Sequence, residues 1–157
     1  MKTDAFDSVK GQIGCCGIWC GSCVVGAGVL PELTRRYKDL ITAYAIDQWG
    51  PRHVDYQKFF AALDAIQQTK PCPGCLKGGG RDDCELRACV RAKGIGDCSV
   101  CSDRSACGHA ELLEQMRSGA VGAGLLVKDG DAPREQLLQE WTAVVKTRWP
   151  FSVLFND

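Results

Sequence analysis

Eleven cysteines dominate what this chain can do chemically. Seven lie between Cys72 and Cys107: Cys72, Cys75, Cys84, Cys89, Cys98, Cys101 and Cys107. The other four, Cys15, Cys16, Cys20 and Cys23, fall in the run GCCGIWCGSC. Cys20/Cys23, Cys72/Cys75 and Cys98/Cys101 are C-x2-C pairs, each with Gly, Pro or Ser between to help the backbone turn. Thiolates at that spacing grip one tetrahedral ion from successive loop positions, and cysteine sulfur suits zinc. About two structural zinc ions are therefore expected, each holding loops that lack the apolar area to order themselves.

The grouping of the ligands stays open. Cys72 and Cys75 with Cys98 and Cys101 make two knuckles separated by 22 residues, close to a zinc-ribbon or treble-clef spacing. Cys16, Cys20 and Cys23 then need a fourth ligand from Cys84, Cys89 or Cys107. The alternative closes one site with Cys72, Cys75, Cys84 and Cys89, and joins the N-terminal cluster to Cys98, Cys101 and Cys107. The first grouping is preferred. Cys84 and Cys89 diverge by about 140° on a straight helix, so they share a metal only if one sits at the helix start; otherwise they serve different metals.

Two other uses of the same sulfurs compete. An iron–sulfur cluster takes the same ligands, although the C-x2-C-x2-C-x3-C-P and C-x4-C-x2-C runs of ferredoxins are absent. Trp19-Cys20-Gly21-Ser22-Cys23 is similar to a thioredoxin-type dithiol, which needs a preceding strand and a helix starting at its first cysteine. His109, two residues after Cys107, and Cys15 are additional candidate ligands; His53 reads as a turn residue. No Ser/His/Asp arrangement can be built around two histidines, so hydrolytic catalysis has no support and the chain leans away from an enzyme.

The elements that must position these thiols read as helices. Residues 1–13 form a flexible arm, 14–118 a cysteine-rich metal-binding helical domain, and 119–157 a glycine-rich linker with a C-terminal helix packing on that domain. Pro31 opens a helix carrying Leu33, Tyr37, Leu40, Ile41 and Tyr44, stopped by Gly50-Pro51. Val54 to Gln68 is a second, with Tyr56, Phe59, Phe60, Leu63 and Ile66 on one stripe; the pair reads as a hairpin whose aromatics form core. Further helices run over Cys84–Lys93, His109–Arg117 and from an N-cap at Asp131 to Arg148. The tail FSVLF covers the core. The class is mainly α, with an irregular metal-clamped lobe of zinc-ribbon or treble-clef-like knuckles.

Nineteen Lys+Arg against nineteen Asp+Glu leave a formal net charge of zero. Eight thiolates on two zinc ions would take it to about −4, which argues against generic nucleic-acid binding. The opening MKTDAFDSVKGQIG has no apolar run for a signal-peptide core, and no stretch reaches membrane-spanning length. A cytoplasmic chain with reduced thiols is expected, with no membrane association and an unspecified protein partner.

The order CGIWC-x2-C from Cys16 to Cys23, then CPGC, C-x4-C, C-x2-C and a last cysteine before a helix, resembles the bacterial and archaeal cysteine-rich family called domain of unknown function 3795 (DUF3795). The resemblance spans about Cys16 to Leu112. It implies that Cys16, Cys20, Cys23, Cys72, Cys75, Cys84, Cys89, Cys98, Cys101 and Cys107 are the metal ligands, with Cys15 an extra. It implies a soluble microbial metal-binding protein and identifies no reaction.

Overall fold

The structure, a computed structural model, describes residues 4–156. Its helices are α1 (Asp4–Lys10), α2 (Val29–Ala43), α3 (Ile46–Trp49), α4 (Tyr56–Gln67), α5 (Glu85–Lys93), α6 (Ala110–Gly122) and α7 (Arg134–Arg148). The mainly α class holds. Among the described residues no strand forms, only isolated bridges joining Ile13 to Trp19 and Ile18 to Val127. The C-x2-C segments at Cys20 and Cys98 are tight 3-10 turns (Cys20–Ser22 and Cys98–Val100), whereas residues 72–74 are irregular and lead into a 3-10 turn at Cys75–Lys77; none is an arm of a β-hairpin.

The expected N-terminal arm is largely a helix. Phe6 and Val9, three apart and so on one face of α1, are 1% and 0% exposed. They pack against Val29 and Leu154. Two large apolar positions in seven residues give little periodic signal, and their partner is the opposite end of the chain. Ser152, fully buried, donates its hydroxyl to the Ala27 carbonyl and accepts the Leu154 N–H at 3.3 Å, which seats the FSVLF tail over that core. Residues 1–3 lie outside the described residues.

Gly28 enters α2 at φ 64°, in the left-handed region. A Cβ there would sit 2.3 Å from Val153 Cγ2 and 3.1 Å from Phe6 Cε1. Gly28→Ala should cost about 2–3 kcal/mol in urea unfolding, adding a strained φ to a core clash. Gly11→Ala, with nothing within 4 Å of its Cβ, should stay within about 0.5 kcal/mol. Equal losses would show that the tail does not pack as described.

α2 and α4 form the expected hairpin, but their aromatics do not make a core. Tyr37 meets Phe59 edge-on at 6.2 Å, and Lys38 pairs with Asp64 across the helices. Yet Tyr37, Leu40 and Tyr44 stay 49%, 50% and 66% exposed, because no further layer covers them. Apolar spacing reports which side chains share a face; it does not supply the second surface that buries them.

The region expected as a glycine-rich linker is ordered structure. α6 continues to Gly122, Ala120 is buried, and Trp19 N–H donates to Leu126 O at 2.8 Å. Trp19, 1% exposed, stacks on Trp141 of α7 at 5.9 Å and donates its ring N–H to Lys10 O at 2.9 Å. The loop carrying the first cysteines is thus bound between α1 and α7. α7 starts at Arg134, three residues after the expected cap at Asp131.

Candidate metal centres

The cysteines divide into two groups around two cavities. Cys89, Cys98, Cys101 and Cys107 line a small one of about 20 Å³, closed by Leu86, Val90 and Leu113. Cys16, Cys20, Cys23, Cys72, Cys75 and Cys84 line a larger one of about 240 Å³. Among the described residues no three His, Cys, Asp or Glu side chains converge closely enough to hold a bare ion as they stand, so the thiols surround spaces without meeting at a point. All eleven are free thiols.

This partition differs from both groupings read from spacing. Cys72/Cys75 and Cys98/Cys101 face different cavities, and so do Cys84 and Cys89. The second separation follows from α5: Cys84 is its N-cap and Cys89 lies in its body, five residues on, which points them off different sides of the helix. The N-terminal loop then fills the space on the Cys84 side. Cys15 O accepts the Cys98 N–H at 2.8 Å, which brings the two groups back to back.

Cys15 lines neither cavity. It is 2% exposed in the core formed by Leu86, Val90, Cys98 and Leu113, with its thiol against Cys75. His109 does reach the small cavity, but its Nδ1 lies 3.2 Å from Glu85 and its backbone N–H donates to Cys107 Sγ at 3.4 Å.

Burial sets the thiol chemistry. It pushes Cys15 up to about 12, and Cys20 and Cys98 up to about 11, with neighbouring thiols adding to each; Cys16 is raised for the same first reason. The Cys75 N–H on Cys20 Sγ at 3.5 Å opposes the rise only in part. Desolvation penalises each thiolate, and a second thiolate beside it is a like charge. A cation among the same sulfurs inverts that balance and displaces the protons.

Three cations that spacing rules did not single out brace the cysteine-bearing segments. Arg87, 7% exposed, donates to the carbonyls of Cys75, Gly79, Arg81 and Asp82 at 2.8–3.1 Å, which fixes the loop between Cys75 and Cys84. Lys93 reaches Cys101 Sγ at 3.5 Å and Asp103 at 2.6 Å, and these partners hold it protonated. Lys128 is buried against Asp97 and Ser99 at the Cys98 turn. A cysteine pattern marks ligands; the groups that aim them come from a helix face and a distant loop, with no fixed offset to find them by.

A mainly helical, cysteine-rich protein with two thiol-lined cavities is thus the class that fold and site define. The chain belongs to the family described as protein of unknown function (DUF3795), whose model matches residues 12–112. The match takes in ten of the cavity-lining cysteines, Cys16 through Cys107. No curated protein and no solved structure matches the chain. Among the described residues no helix is long and apolar enough to cross a membrane.

Proposed function

We propose that this chain is a metal-binding module in which Cys89, Cys98, Cys101 and Cys107 hold one zinc ion as a closed structural site. The supporting observation is that these four thiols share one small enclosed cavity of about 20 Å³, room for about one water-sized body. Four cysteine sulfurs at about 2.3 Å from a tetrahedral ion is the closed zinc arrangement, with no position left for a reacting water. Such a centre carries two net negative charges, and Lys93 and Arg104 stand at its edge. An N–H donor on a coordinated thiolate, as Lys93 and the His109 amide provide, orients the ligand from behind. The module reads as a binding protein and not as an enzyme, and the exposed Tyr37, Leu40 and Tyr44 of its hairpin, with Trp49 of α3, are the surface it offers to a protein partner.

The dithiol reading is weaker. A catalytic Cys20 needs its thiol lowered at a helix N-terminus, whereas Cys20 opens a three-residue 3-10 turn and is pushed up to about 11.

Anaerobic purification and zinc analysis test the proposal. Wild-type protein should carry zinc, and the Cys98→Ser/Cys101→Ser variant should lose one equivalent per chain. Full zinc retention in that variant would remove the zinc from this cavity.

A further inference from the structure

The larger cavity calls for a different occupant. It has about 240 Å³, against about 20 Å³ at the four-cysteine site. A lone zinc draws four sulfurs to within about 3.8 Å of one another, as follows from a tetrahedral Zn–S length near 2.3 Å. It would leave most of this space, and two of the six thiols, unused. The other walls are apolar at Ile18, Met116 and Leu125, bare backbone at four glycines, and cationic at Arg81 and Arg87, with no acidic side chain to hold a hydrated cation.

A second observation gives the sign of the occupant's charge. Arg87 lines this cavity and is 7% exposed, yet every hydrogen bond it makes goes to a neutral backbone carbonyl. Among the described residues no carboxylate pairs with it. A buried guanidinium without a counter-ion is costly, because its charge is taken from water with no opposite charge to offset the loss. The thiols opposite are neutral while protonated, so they do not supply that charge until something makes them thiolates.

We infer that Cys16, Cys20, Cys23, Cys72, Cys75 and Cys84 enclose an iron–sulfur cluster, ligated by four of them drawn from both the N-terminal loop and the second array. Inorganic sulfide fills the space between thiols that a bare ion cannot span. Each ligating thiol gives its proton to solvent on binding, and a [4Fe–4S]²⁺ core with four thiolates has net charge of about −2, the counter-charge Arg87 lacks. The apolar wall keeps water from the cluster face. This inference rests on cysteine ligation of metal, as the zinc proposal does, but not on zinc in the smaller cavity.

The test is metal, sulfide and spectrum on anaerobically purified full-length protein. Wild type should be brown, with about four iron and about four acid-labile sulfide per chain. Cys20→Ser/Cys72→Ser/Cys75→Ser, which leaves three of the six thiols and so too few for four cysteine ligands, should lose at least nine-tenths of the iron and keep the zinc. Cys98→Ser/Cys101→Ser should lose zinc and keep the iron. Iron-edge X-ray absorption of the wild type, which needs no variant to fold, should show sulfur ligation and a short Fe–Fe vector. Colourless, iron-free protein with about three zinc per chain would overturn the inference in favour of a dinuclear zinc–thiolate centre. So would iron that survives the Cys20/Cys72/Cys75 triple substitution.

Discussion

Lys128→Met should destabilise the metal-loaded protein by about 3–5 kcal/mol in urea unfolding, among the largest effects of any single substitution outside the cysteines. The Lys128 ammonium uses its three protons on Asp97 at 3.1 Å, Ser99 Oγ at 2.6 Å and Gly130 O at 3.0 Å. The Lys128 and Asp97 side chains are 7% and 11% exposed, so removing the cation strands a carboxylate out of water. Methionine keeps most of the volume and isolates the charge effect. The strain falls on the Cys98 turn: Asp97 caps it by accepting the Ser99 N–H at 2.7 Å, and the Lys128 N–H holds Gly17 O at 2.8 Å on the other side. Zinc should therefore dissociate faster from the variant. Asp97→Asn/Lys128→Met should recover at least half of the loss, since the amide oxygen still accepts the Ser99 N–H and no charge is left unpaired. A loss below about 1 kcal/mol, or strict additivity of the two substitutions, would show that the pair carries no coupling.

That ion pair also shows where sequence reasoning stops. The helices at Val29–Ala43, Tyr56–Gln67 and Glu85–Lys93 are legible because propensity, caps and stops are local: Asp55 caps one, and Gly94 at φ 65° ends another. The ligand types are legible for the same reason. The partition of the ligands is not, because it depends on which loop fills the space on each side of α5. The Cys15 O to Cys98 N–H bond settles that, and no spacing rule contains it. α1 was missed because Phe6 and Val9 become meaningful only once Leu154 lies over them. The linker was misread because three glycines between 119 and 124 suggest freedom, whereas Leu125, Leu126 and Lys128 are anchored by Ala120, Trp19 and Gly17.

Chelation of the zinc should unfold the lobe around Cys89–Cys107 while leaving the rest of the helical core in place. Beyond the Lys128–Asp97 pair at its Cys98 turn, the lobe has little to hold it. Between Gly94 and Gly108 the apolar residues apart from cysteine and alanine are Ile95 and Val100, the latter 40% exposed, and the backbone runs through two three-residue 3-10 turns. Ordering each residue costs about 1–2 kcal/mol, which that area cannot offset at about 25 cal/mol per Å². Structural zinc in finger peptides contributes about 10–16 kcal/mol of apparent binding free energy at pH 7, enough to close the difference. The Phe6, Val9, Val29 and Leu154 core and the Trp19–Trp141 stack lie elsewhere and have their own apolar burial. Hydrogen exchange should thus rise by several orders of magnitude at amides 95–107 after a tight zinc chelator is added, with protection in α7 reduced by less than tenfold. Lowering the pH should mimic the chelator, because every ligand must shed a proton to bind and burial already favours the neutral thiol at Cys98. Protection at 95–107 that is indifferent to both treatments would mean that packing alone orders the lobe.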